Sequence, residues 1–363
     1  MKRYFTSESV SSGHPDKICD QIADAILDEA LRIDPYSHMA VEASIKDGFI
    51  LLFGEADTKA ALDYAKIARG VVKDIGYEGD FEVLEKISKQ SHEIHEAVGE
   101  EIVKAGDQGI MFGYACDETE EYMPLPITLA HRLMKRFDGY RKEVPGIFQP
   151  DGKSQVTVEY EGNEPVRIDT VVLSVSHYED VSLEKVREIV KKEIIDQVLP
   201  KKYLDEDTKY LINPGGSFTV CGPYGDSGTT GRKIVVDTYG GMGRIGGGCF
   251  SSKDPSKVDR SAAYYARYAA RSLVAAGYCR RCEIQVSYAI GREDALSVYA
   301  DTFGTGRVSD DKMIMILQRN FDFSVSHIIE ELELRRPVYR ESVNYGHFGR
   351  KGLPWEKNKK LKV

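Results

Sequence analysis

The chain has 363 residues, 42% apolar and 29% charged, which is enough apolar content to build two or three cored domains and too much for a disordered chain. Lys and Arg number 49 against 58 Asp and Glu; the net charge of −9 opposes non-specific attraction to nucleic acid or anionic lipid, so any polyanion site must be local. No apolar run approaches the roughly 18 residues of a membrane helix, acids at the N-terminus precede any apolar leader, and six cysteines are too sparse for a disulfide framework, so a cytoplasmic protein is expected.

In chain order, Ser11-Ser-Gly-His14-Pro-Asp16-Lys opens a helix over residues 15–32 with an apolar face of Ile18, Ile22, Ala25 and Ile26. Asp20, Asp24 and Asp28 recur at every fourth position on another face and read as solvated or structural. His14 and Asp16 stand instead at the helix start, where phosphate and hydrated Mg²⁺ gather. Strands over 39–46 and 49–55 around the Asp47-Gly48 turn, then a helix over 58–75 stopped by Gly76, complete a helix, hairpin, helix unit. A second copy has a helix over 125–137, strands over 154–160 and 166–175, and a helix over 182–198 ended by Pro200. The third has a helix over 255–276 stopped by Gly277, strands over 283–290 and 295–303, and a helix opening near Ser309.

This order predicts an α+β fold of three similar units, each an antiparallel sheet with helices on one face, divided at about 1–100, 101–218 and 219–363, with elements free to exchange between units. Hairpins without βαβ crossovers argue against a doubly wound sheet. Apolar sheet faces such as Ile50, Leu52, Val171 and Leu173 are expected to be bare on a monomer, which predicts a homo-oligomer.

Residues 215–248 hold 12 of the 33 glycines, interleaved with Asp226, Arg232, Lys233, Arg244 and an apolar run, Ile234 to Tyr239, that reads as a strand. Such a backbone suits close approach to a polyphosphate. Gly241-Met-Gly-Arg-Ile-Gly246 mimics a dinucleotide loop but opens no helix, and Gly146 to Ser154 mimics a Walker loop with one residue too many. Lys153, beside Asp151 at the head of a strand, still has the reach to meet a phosphate as a point charge. Asp254 reads as an N-cap and Pro255 as the first helical residue. Lys253 and Lys257 then flank that helix start as an anion site, and Asp259 in the first turn is placed to bring a cation into it. Cys279 and Cys282 read as ordinary thiols, and His92 and His95 as surface residues.

Phe5-Thr-Ser-Glu-Ser-Val-Ser, Gly13-His-Pro-Asp-Lys17, Ala105-Gly-Asp-Gln-Gly-Ile-Met-Phe-Gly-Tyr-Ala115, Gly231-Arg-Lys, Gly246-Gly-Gly, Lys253-Asp-Pro-Ser-Lys-Val-Asp-Arg260 and Tyr345-Gly-His-Phe-Gly-Arg350, in this order along nearly the whole chain, closely resemble the S-adenosylmethionine synthetase family of bacterial type. The resemblance implies a pseudo-threefold architecture. It also implies attack of the L-methionine sulfur on C5′ of ATP with loss of triphosphate, which is then cut to pyrophosphate and phosphate. By similarity His14, Lys153, Arg232 and Lys253 hold the triphosphate with Lys233, and Asp151, Phe218, Asp226 and Cys249 line the ATP site. Glu55, Gln90, Asp107, Asp226 and Lys257 meet methionine. Asp16 and Asp259 carry two Mg²⁺, Glu42 holds K⁺, and paired dimers share their active sites. A thioether carries no proton to remove, so cations rather than a general base suit this chemistry.

Ser217 stands where an arginine is frequent beside Phe218, Cys249 where an alanine is frequent, and Gly152 where an alanine precedes the phosphate lysine. The stretch His92 to Lys104, corresponding to the family's lid, is a few residues short and lacks a proline after Ser91. Two other functions remain open from the residues: a Mg²⁺-ATP phosphotransferase, and a non-catalytic nucleotide-binding module.

Overall fold

The structure, a computed structural model, describes residues 2–89 and 103–362. Strand β1 (Lys2–Val10) opens the chain and leads into α1 (Pro15–Ile33), the hairpin β2 (His38–Lys46) and β3 (Phe49–Asp57), α2 (Tyr64–Ile75) and β4 (Glu82–Ser88). The middle third runs β5 (Gly109–Cys116), α3 (Leu125–Glu143), the long hairpin β6 (Phe148–Glu161) and β7 (Glu164–His177), α4 (Leu183–Ile189) and β8 (Lys209–Ile212). The last third runs β9 (Gly228–Thr229), α5 (Ile234–Asp237), α6 (Val258–Ala275), the hairpin β10 (Arg281–Tyr288) and β11 (Ser297–Asp301), α7 (Asp310–Asn320) and α8 (Val325–Glu331).

The three units are present, and each borrows a strand from another third of the chain. The sheets run β1-β6-β7-β8, β11-β10-β5 and β4-β3-β2-β9. Thus β1 joins the central hairpin, β5 the C-terminal one and β9 the N-terminal one, each antiparallel to its host. One exchanged strand per sheet ties the units together covalently, and the N- and C-terminal units share one continuous core while the central unit keeps its own.

Several expectations need correction. The helix expected from residue 58 starts at Tyr64, because Asp63 caps it by accepting from the Lys66 N–H. Two parallel pairings exist, β3 with β4 and β7 with β8, reached across α2 and α4, so the sheets are antiparallel only in the main. Residues 234–237 are helical rather than a strand: the Asp237 N–H turns back to the Lys233 carbonyl and Thr238 Oγ1 to that of Ile234, so the backbone bonds locally. The last long helix begins at Val258, not Pro255, because Asp254 is spent elsewhere, accepting from the Met39 and Ser256 N–H groups. Finally, Ile50, Leu52, Val171 and Leu173 are fully buried within the single chain, since they point at the helices and not at the open sheet faces.

Candidate active site

The N-terminus of α1 is built by close packing. A Cβ on Gly13 would stand 2.3 Å from the Pro150 side chain and 2.5 Å from its carbonyl oxygen, so only glycine lets this turn lie against β6. The Ser11 N–H donates to the Gly152 carbonyl, Val10 pairs with Lys153, and Tyr77 donates its hydroxyl to the Gly13 carbonyl at 2.7 Å. His14 caps the helix, its Nδ1 accepting from the Asp16 N–H at 3.2 Å, which places the ring proton on Nε2. Burial first, then the charges of Lys233 and Lys153, push His14 down to about 3. His14 is therefore a neutral donor at physiological pH, not one of the cations.

Asp16 is buried, 2.6 Å from Lys233 Nζ and 3.7 Å from Arg232 Nη1, and accepts the Thr229 N–H at 3.0 Å. Burial opposes its ionisation, but the Lys233 ammonium and the Thr229 N–H outweigh that and hold the carboxyl below its usual range. His14, Asp16, Lys153, Arg232 and Lys233 are thus brought together from three distant stretches of sequence. Beside them Asp151 accepts the Gly222 N–H at 2.9 Å; burial pushes it up to about 6, with Lys153 opposing and Asp226 adding to the rise.

The acidic row of α1 is buried, so of its two readings, solvated or structural, the structural one holds. Asp20 accepts the Gly231 N–H at 2.8 Å and pairs with Lys17, which also reaches Asp237 at 2.6 Å. Asp24 forms an ion pair with Arg260 at 2.5 Å, both side chains 0% exposed, and accepts the Ser252 N–H at 3.0 Å. Asp28 accepts the Tyr339 and Arg340 N–H groups. The row is a fastener: each carboxylate pins a different part of the glycine-rich segment or the C-terminal region to one rigid helix, and so sets where Arg232, Lys233 and Lys253 lie. The sequence left a structural role open for Asp20 and Asp24 without showing their distant partners, which lie more than 200 positions away.

A second group lies beyond Asp20. Lys253 pairs with Asp259 and bridges Ala40 of β2, whose opposite partner across the hairpin is Glu55. Glu42 is half-buried; burial raises its carboxyl, Lys253 opposes, and Glu55 and Asp20 add to the rise. Cys249 packs on Gly231, where a Cβ would stand 2.6 Å from its own, and burial pushes its thiol up to about 11. Gly231 and Cys249 are the contact between the two groups. Asp107 is exposed at the head of β5, two residues before Gly109, which faces Asp259.

Other expected residues fall apart from these. Lys257 turns away to pair with Asp254. Phe218 is half-buried near the end of β7, its N–H donating to His177 Nε2 at 3.2 Å, with Ser217 exposed beside it. Gly152 leaves little room for the alanine expected there, since a Cβ would come within 3.2 Å of Phe137. Gln90, His92 and His95 lie outside the described residues. Cys279 and Cys282 are free thiols.

An α+β protein of three strand-exchanged units, with cations and carboxylates gathered at one helix start and a glycine-rich loop, belongs to the class of enzymes that handle a polyphosphate substrate. Comparison with protein-family models matches residues 2–101 to the N-terminal domain of S-adenosylmethionine synthetase, 102–218 to its central domain and 220–357 to its C-terminal domain. The chain belongs to the S-adenosylmethionine synthetase family. It is a methionine adenosyltransferase, which forms S-adenosylmethionine from ATP and L-methionine. No helix among the described residues is long and apolar enough to cross a membrane.

Proposed function

We propose that the α1 N-terminus and the glycine-rich loop hold the triphosphate of ATP as a leaving group. The carrying observation is the convergence of His14, Lys153, Arg232 and Lys233 around Asp16. The methionine sulfur donates its lone pair to C5′, the C5′–O bond breaks, and the triphosphate departs with the electron pair; water then cleaves it to pyrophosphate and phosphate. Charge grows on oxygens of the leaving group, so preorganised donors there stabilise the transition state more than the ground state. Lys153, Arg232 and Lys233 meet it as charges and His14 as an Nε2–H donor. Lys253 approaches from the second group, while the adenine contacts (Phe218, Asp226 and Cys249) and the methionine contacts (Glu55, Gln90, Asp107, Asp226 and Lys257) are assigned on the family resemblance.

The acids fit Mg²⁺. Among the described residues no three His, Cys, Asp or Glu side chains are placed to cage a metal, and Asp16 and Asp259 each offer a single carboxylate now paired to a lysine. Mg²⁺ typically takes one or two carboxylates and completes its shell with phosphate oxygens and water. Two such ions, at Asp16 and Asp259, would supply positive charge beside the leaving oxygens when bound. Glu42, a half-buried carboxyl beside Lys253, suits K⁺.

A dimer with shared sites is part of the same proposal. The open face of the β4-β3-β2-β9 sheet carries Phe49, Leu51 and Phe53 with Leu84 paired beside Leu51, next to Glu42, and a second copy is assigned to cover these residues. Incubation with ATP, methionine, Mg²⁺ and K⁺ should yield the sulfonium with pyrophosphate and phosphate in equal amounts; ADP, or no sulfonium, refutes the proposal. Full activity from a species sedimenting as a monomer refutes the shared site.

A further inference from the structure

A cavity of about 440 Å³ opens where α3 faces the Tyr345–Arg350 loop, within the size range of small-molecule sites (roughly 300–1,000 Å³) and apart from every residue assigned above. Arg132, Lys135, Arg350 and Lys351 line it against one acid, Glu121, which Arg132 already neutralises at 2.5 Å. Lys135 and Lys351 are exposed and have no ion pair among the described residues, an unusual concentration of free positive charge on a chain of net charge −9. Arg350 is fixed by donating to the Asn344 and Glu341 carbonyls, so its charge is preorganised. Oε2 of Glu121, on the same wall, is buried and lacks a hydrogen-bond partner among the described residues. A buried polar atom left unpaired is costly, and a ligand hydroxyl would satisfy it.

We propose that this cavity is a second anion site, which binds a small hydroxyl-bearing phosphate ester separately from the substrates. The phosphate is met by the lysines and Arg350, with geometry that charge-assisted bonds favour, while a hydroxyl answers the Glu121 oxygen. The walls are wired to the active site. His131 Nδ1 shares a 2.8 Å hydrogen bond with Ser9 Oγ near the end of β1. Tyr345 donates its hydroxyl to Asp138 at 2.6 Å, and the same Asp138 oxygen accepts the Ser12 N–H at 2.8 Å, two residues before His14. Movement of the loop on binding therefore has a direct path to the turn that presents His14, whereas binding itself does not depend on the role proposed for His14.

The test is equilibrium dialysis of the intact protein with glycerol 2-phosphate. Saturable binding is expected, weakened about tenfold or more in a Lys135→Ala/Lys351→Ala double variant and unchanged in Lys153→Ala, with inorganic phosphate binding more weakly than the ester. S-adenosylmethionine synthesis without added ester should match wild type in the double variant, since neither lysine belongs to the active site. Equal affinity in wild type and double variant, loss of binding in Lys153→Ala, or no saturation overturns the site. Phosphate binding as tightly as the ester overturns the hydroxyl contact.

Discussion

Asp24→Asn isolates the fastening role of the acidic row. The substitution keeps the side-chain volume and one carbonyl oxygen for the Ser252 N–H, but leaves the guanidinium of Arg260 buried without a counter-charge in a site where both partners are 0% exposed. Removing one member of a buried pair costs about 3–5 kcal/mol, a large share of the roughly 5–15 kcal/mol that holds a typical protein folded. At about 2–4 °C per kcal/mol, the melting temperature should fall by roughly 6 °C or more. Arg260 also donates to the Lys253 carbonyl at 2.9 Å, so turnover should fall too, through misplacement of Lys253. Glu333→Gln, which breaks the exposed pair with Arg336, is the control and should cost less than about 1 kcal/mol. Differential scanning calorimetry on both variants, with kcat and KM, reads these effects. A melting temperature for Asp24→Asn no lower than that of the control would show that the row does not fasten the loop.

Two further outcomes follow from the local chemistry. Burial first, then Lys17 and Arg350, push His131 down to about 3 against an ordinary 6.5, so the unfolded chain takes up a proton there that the folded chain refuses. Its contribution is complete above about pH 6.5 and is lost as pH falls towards 3; urea titrations should show His131→Asn losing stability less steeply, by about 1.4 kcal/mol per pH unit between pH 6 and 4. Ser217 is exposed beside Phe218, whose N–H and carbonyl are both engaged by His177, so the adenine contact proposed for Phe218 is left to ring stacking, which tolerates any base. Discrimination of ATP from GTP and CTP should therefore sharpen in Ser217→Arg, and an unchanged ratio of kcat/KM values counts against this.

Legibility in the sequence followed how local each signal is. Helix starts at Pro15 and Leu125, the stop at Gly277 and the cap at Ser309 are set within a few residues, and all stand where patterning placed them. The candidate site residues were chosen by chemical type, as cations in a glycine-rich setting. What escaped depends on partners distant in the chain. Asp24 reads equally as solvated or structural until Arg260 is brought 236 positions to meet it, and Asp254 looks like a cap until Met39 claims it. Ile234 to Tyr239 has strand composition, yet its first turn bonds to itself as a helix and joins none of the sheets. The facing of Ile50 and Leu52 was misread for a similar reason, since alternation shows two faces without showing which one the helices cover.

The central claim, that the gathered cations act on the departing triphosphate, is tested most directly by single-turnover formation of the sulfonium in Lys153→Ala and Lys253→Ala, with methionine affinity measured alongside. Loss of one preorganised contact to a developing oxyanion costs about 3 kcal/mol, so each variant should slow the chemical step on the order of 100-fold while methionine binds nearly as in the unaltered protein. An unchanged rate of sulfonium formation, with the loss confined to substrate affinity, would contradict the claim and leave the lysines as binding groups alone.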